Sequence, residues 1–100
     1  MRYIDWFVWR MKNSFNKIVP RDEISFEAYD FYHEELDDLL IPSEHLEKLP
    51  NPLILETLSF VDEQGYEWIA GMVEDEKSRI LLYEVWIKNG ERIAYETYVK

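Results

Sequence analysis

One hundred residues, 47% apolar and 16% aromatic with 32% charged, are too rich in core formers for a disordered segment and too few for a multidomain enzyme. The absence of cysteine excludes a disulfide framework, a thiolate nucleophile and a cysteine-bearing zinc site. Apolar runs such as Trp6-Phe7-Val8-Trp9 and Ile80-Leu81-Leu82-Tyr83 stop at four residues, far short of the roughly 20 of a transmembrane helix. Asp5 and Arg10 interrupt the only leader-like stretch, so a cytoplasmic location is expected.

Residues 1–20 carry a net charge of +3. Ile4, Phe7, Val8, Met11, Phe15 and Ile18 recur at spacings of three and four, which predicts an amphipathic helix over 3–19, ended by Pro20. A short strand over 2–9 is the alternative, given the aromatic and β-branched residues there. On the helical reading Trp6 and Trp9 leave the apolar stripe, on the side of Arg10, Asn13 and Lys17. Two roles fit them: packing inside the domain, or contact with a partner or a membrane surface.

Residues 21–48 carry −8. Tyr29, Tyr32, Leu36, Leu39 and Leu40 form a stripe at helical period, predicting a second helix over 25–40. Its opposite face collects Glu27, Asp30, Glu34, Asp37 and Asp38 along about 16 Å of axis, with Phe31 projecting among them. Pro42 ends this element, Ser43 is placed to cap a short turn over 44–48, and Pro50-Asn51-Pro52 breaks the chain before a change of pattern.

Four runs follow, at about 53–61, 66–74, 79–88 and 91–99, separated by turn-forming residues. Asn89-Gly90 is the strongest signal. A type I′ turn needs positive φ at both central residues, so Lys88 faces Glu91 across a two-residue hairpin. Continued without a break, that register puts Trp86 opposite Ile93, Val85 opposite Ala94 and Tyr83 opposite Glu96. One face then gathers the aromatics Tyr66, Trp68, Tyr83 and Tyr98, a candidate oligomer or ligand surface. The fold expected is α+β, a single domain over 1–100. Two N-terminal helices (1–48) pack on a four-stranded antiparallel meander (53–99), in two layers and the order α-α-β-β-β-β. Two helices cover one face of such a sheet, leaving an apolar face that requires curvature or a second partner.

Catalysis has little support. His33 and His45 belong to no metal motif, and there is no G-x-S-x-G and no glycine-rich phosphate loop. No catalytic residue, metal or cofactor is expected. The acidic balance disfavours direct nucleic-acid binding, which draws on Lys and Arg against phosphate. It steers the chain toward basic partners instead, including the basic grooves of nucleic-acid-binding proteins. In general character the chain resembles small inhibitors and immunity proteins of bacteria and phages, without a shared motif. The leading expectation is a non-enzymatic inhibitor or regulator whose contact residues are Glu27, Asp30, Phe31, Glu34, Asp37 and Asp38, in its sharpest form a nucleic-acid mimic. The alternatives are a homo-oligomer, such as a homodimer, built on the aromatic sheet face, or a small-ligand-binding module. On the other side, the carboxylates are a solvated face that keeps the chain soluble.

Overall fold

A computed structural model describes residues 2–38 and 40–99. A helix α1 (Arg2–Phe15) leads into an edge strand β1 (Ser25–Phe31), and a connection over 32–52 holds the short helix α2 (Ser43–Leu46). Strands β2 (Leu53–Val61), β3 (Glu67–Glu74), β4 (Leu81–Lys88) and β5 (Glu91–Thr97) complete one antiparallel sheet in the order β1-β2-β3-β4-β5. The expected two helices and four strands are thus corrected to one main helix, a short one and five strands.

Tyr3, Phe7 and Met11, four residues apart, form the buried stripe of α1. Asp5 in the first turn and Lys12 in the last both complement the helix dipole. The helix stops at Phe15, not near Pro20. Asn16 takes a left-handed conformation (φ 56°) and its N–H donates to the Lys12 carbonyl, closing the helix in an αL cap. Ile18, expected on the apolar stripe, is therefore exposed, while Val19 is buried.

Among the described residues the predicted second helix is absent. Phe26, Tyr29 and Phe31 are strand formers, and residues 25–31 pair with β2 over seven consecutive positions from Ser25↔Ser59 to Phe31↔Leu53. The apolar positions that mimic a helical stripe divide between strand and connection, and Leu39 lies outside the described residues. Ser43 does not cap α2: it is the first helical residue, Pro42 precedes it, and its own N–H donates to Asp38 Oδ1 at 2.9 Å.

Two cores form, one on each face of the sheet. Beneath α1, Tyr3, Phe7 and Met11 pack on Leu58, Phe60, Trp68, Ala70, Met72 and Trp86, and Phe7 stacks on Trp86 at 5.5 Å between ring centroids. On the opposite face Leu53, Leu55, Val73, Tyr83 and Val85 are covered by Ile41, Leu49, Leu36, Leu40 and Leu46 from the connection. The expected uncovered apolar face is corrected by this packing. The 32–52 segment, read from sequence as the end of a helix, a short turn and a chain break, supplies a third, irregular layer.

Lys88 does pair with Glu91, and Asn89 and Gly90 have φ of 52° and 87°. Beyond that, the register departs from expectation. A shift between Trp86 and Ile87 inserts one residue into β5, so Trp86 faces Ala94, Val85 faces Tyr95 and Tyr83 faces Thr97. One extra residue reverses every later side chain of the strand.

Candidate protein-binding edge

Among the described residues strand β1 has one hydrogen-bonded neighbour strand, β2. Six of its seven residues are exposed and only Phe31 is partly buried, against the core under the connection. Register fixes the faces: Phe26 and Asp30 stand on the α1 side opposite Leu58 and Ile54, whereas Glu27, Tyr29 and Phe31 stand on the other side opposite Thr57, Leu55 and Leu53. Glu27 and Asp30 therefore leave the sheet on opposite faces. The expected alignment of five carboxylates along one helical face is corrected accordingly.

On the outer face the Tyr29 hydroxyl donates to Glu27 Oε2 at 2.7 Å, and this bond raises the Tyr29 pKa above its ordinary value. The Tyr29 ring lies 5.9 Å from that of Phe31. Phe26 and Tyr29 thus present exposed aromatic surface on opposite faces of one strand, Tyr29 with the Glu27 carboxylate beside it.

Glu34 lies in a 3-10 turn at His33–Glu35, which Glu35 closes by accepting the Tyr32 N–H at 2.8 Å. His33 ties this turn to the start of β2. Its N–H donates to Asn51 Oδ1 at 3.0 Å, and its Nε2 lies 2.6 Å from the Pro50 carbonyl. His45 instead lies beside the rings of Tyr83 and Tyr95. Asp38 holds the Ser43 N–H through its carboxylate, and its carbonyl accepts Arg92 Nη1 at 3.2 Å. Asp37 lines a cavity of about 570 Å³ with Leu40, Ile87, Gly90, Glu91 and Arg92. All six residues named from the sequence fall in β1 and the first half of the connection, as one continuous strip of chain.

The second predicted surface does not exist as a unit. Trp68 belongs to the core under α1 and Tyr83 to the core under the connection. Tyr98 turns its hydroxyl to Glu84 on the α1 side, and Tyr66 sits at the β3 entrance, where Lys88 Nζ lies 5.0 Å from its ring and 4.9 Å from that of Trp68. Trp6 packs on Trp86 at 5.3 Å, whereas Trp9 is 58% exposed.

Sequence reasoning overlooked two buried carboxylates. Glu84, 1% exposed, accepts Arg10 Nη2 and Trp86 Nε1 at 2.8 Å each, and the Tyr98 hydroxyl on its other oxygen. Its signal was legible: one carboxylate in the otherwise apolar run 80–87 must have partners or a costly desolvation. Asp62 closes the β2–β3 turn by accepting the N–H groups of Gln64 and Tyr66 and the indole N–H of Trp68. The Trp68 bond, foremost, holds its pKa below the ordinary carboxylate range.

Among the described residues no helix is long and apolar enough to cross a membrane, and no group of three His, Asp or Glu side chains is placed to hold a metal ion. No protein-family model, curated protein or solved structure matches the chain.

Proposed function

We propose that this domain binds a basic surface of another protein and acts by occupying it, as an inhibitor or regulator and not as a catalyst. One observation carries the reading. Residues 22–47 hold ten carboxylates and neither Lys nor Arg, and all ten carboxylate residues are exposed. Meanwhile Arg10, Lys17, Arg21 and Arg79 are engaged elsewhere, with Glu84, Asp62 and Glu63, Asp5, and Glu74. The negative potential of the strip is therefore concentrated, and such a surface steers basic partners and raises their association rate. Phe26, Phe31 and Tyr29 supply the aromatic area that anchors an interface once charge has brought the surfaces together.

The mimicry version narrows. A phosphate-like ladder needs carboxylates evenly spaced on one face, and Glu27 and Asp30 diverge across the sheet. The partner is better described as a basic protein surface, whether or not that surface also binds nucleic acid. A cytoplasmic setting belongs to the same proposal, resting on a cysteine-free composition.

The test is affinity capture at low and high salt, with the eluted protein identified and its binding to the purified domain measured. The expected result is a basic partner held at low salt and released at high salt, as screening of exposed charge requires. Asp30→Lys combined with Glu34→Lys should abolish capture, and undiminished capture by this variant would overturn the reading.

A further inference from the structure

We infer that β1 receives an extended basic segment of the partner as a sixth strand of the sheet. This rests on the basic-partner reading above and specifies how the partner is held. A strand paired on one side turns the N–H and C=O groups of alternate residues outward, a template for strand addition. β1 is such a template in unusually plain form. It is paired with β2 over seven positions without a register shift, contains neither proline nor glycine, and exposes six of its seven residues.

The other edge is built differently. β5 carries the register shift at Trp86/Ile87, and its Arg92 is tied to the Asp38 carbonyl of the connection. A bulge twists an edge away from further pairing. Strand addition at β1 is thus favoured by geometry as well as by charge.

Charge selects the occupant. Edge strands are commonly protected by a Lys, but β1 has only Glu27 and Asp30, one on each face, with Asp22 and Glu23 before it and Glu34 and Glu35 after it. A second copy of β1 would set like charges together on both faces. A basic strand would neutralise both. Because Glu27 and Asp30 are three residues apart on opposite faces, the complementary strand carries Lys or Arg at i and i+3, with β-branched or aromatic residues between them against Ala28 and Tyr29.

The probe is a capped synthetic peptide, Thr-Val-Lys-Thr-Val-Lys-Thr-Val, titrated into the 15N-labelled domain of residues 1–100 at low salt. A second peptide of the same sequence is N-methylated at alternate residues, which keeps the charge and removes strand hydrogen bonding. Saturable binding is expected, with slowed amide exchange along β1 and affinity at least about tenfold weaker for the methylated peptide. Glu27→Lys with Asp30→Lys should remove the difference.

Equal binding of both peptides without protection in β1 would overturn strand addition while leaving the basic-partner reading intact. Binding of neither peptide, with salt-sensitive capture of a basic protein retained, would do the same. Failure of both the peptides and that capture would remove both readings. Concentration-dependent protection of β1 amides in the absence of peptide would name a second copy as the occupant and overturn the inference.

Discussion

Arg10, on the N-terminal helix, donates to Glu84, in the middle of the sheet, at 2.8 Å, so one ion pair pins α1 to β4 through the core. The two ends differ in burial: Glu84 is 1% exposed and Arg10 29%. Removing the arginine leaves a buried carboxylate uncompensated, whereas removing the carboxylate's charge leaves a cation that reaches water. Arg10→Met is therefore expected to cost about 3 kcal/mol, the low end for breaking a buried pair. Glu84→Gln is milder, about 1 kcal/mol, because its amide oxygen still accepts from Arg10 and Trp86 while its NH2 donates to the Tyr98 hydroxyl. The double variant should lose less than the sum of the singles, a coupling read from urea unfolding.

Tyr83 is fully buried, and its hydroxyl finds no hydrogen-bond partner among the described residues. Burial, opposed in part by Arg92, pushes its pKa from 10.0 up to about 12. The fold thus favours the neutral phenol. The stability this contributes is full below pH 10 and is lost as pH rises through about 12. Tyr83→Phe removes an unsatisfied polar atom and this titration together. Its stability at neutral pH should be equal to the parent's or up to about 1 kcal/mol higher. Alkaline unfolding followed by circular dichroism should move to higher pH.

Gly71 occupies the centre of β3 because there is no room for anything larger. A Cβ there would lie 3.0 Å from Val85 Cγ1 and 3.2 Å from Leu55 Cδ1, in the core under the connection. Gly71→Ala should destabilise by about 1–3 kcal/mol, the usual cost of overpacking, despite the better strand propensity of alanine. Adding Val85→Ala removes the nearest methyl groups. The pair should therefore cost less than the two single changes added together in chemical denaturation.

The parts of the fold legible in the sequence are those fixed by local chemistry. The α1 stripe of Phe7 and Met11 and the Asn89-Gly90 turn each follow from a few neighbouring residues. β1 does not, because Tyr29, Tyr32 and Leu36 satisfy a helical period by coincidence. The strand exists through its pairing with residues distant in the chain, such as Glu27 with Thr57 thirty positions away. Likewise nothing beside Ile93 announces the inserted residue that reverses β5, yet that insertion separates Tyr98 from the face of Tyr83 assigned to it. The candidate contact residues were identifiable by composition, since charge density needs no secondary structure. Their arrangement, with Glu27, Asp30 and Phe31 divided between two faces of an edge strand and Glu34, Asp37 and Asp38 in the connection, was not.

The 32–52 connection also sets an order of events. Closing the β1–β2 pair spans 21 residues, against five for the β2–β3 turn over 62–66, and on a flexible-chain estimate this costs about 1.3 kcal/mol more in loop-closure entropy. The β2–β5 meander is joined by short turns and β1 by a long one, so β1 is expected to be the strand that docks last. In the language of native-state exchange, β1, the edge proposed above to receive a partner, is expected to be the least protected strand of the sheet. Under the strand-addition proposal, the β1 backbone groups are then also the ones whose protection would rise most when the partner strand binds.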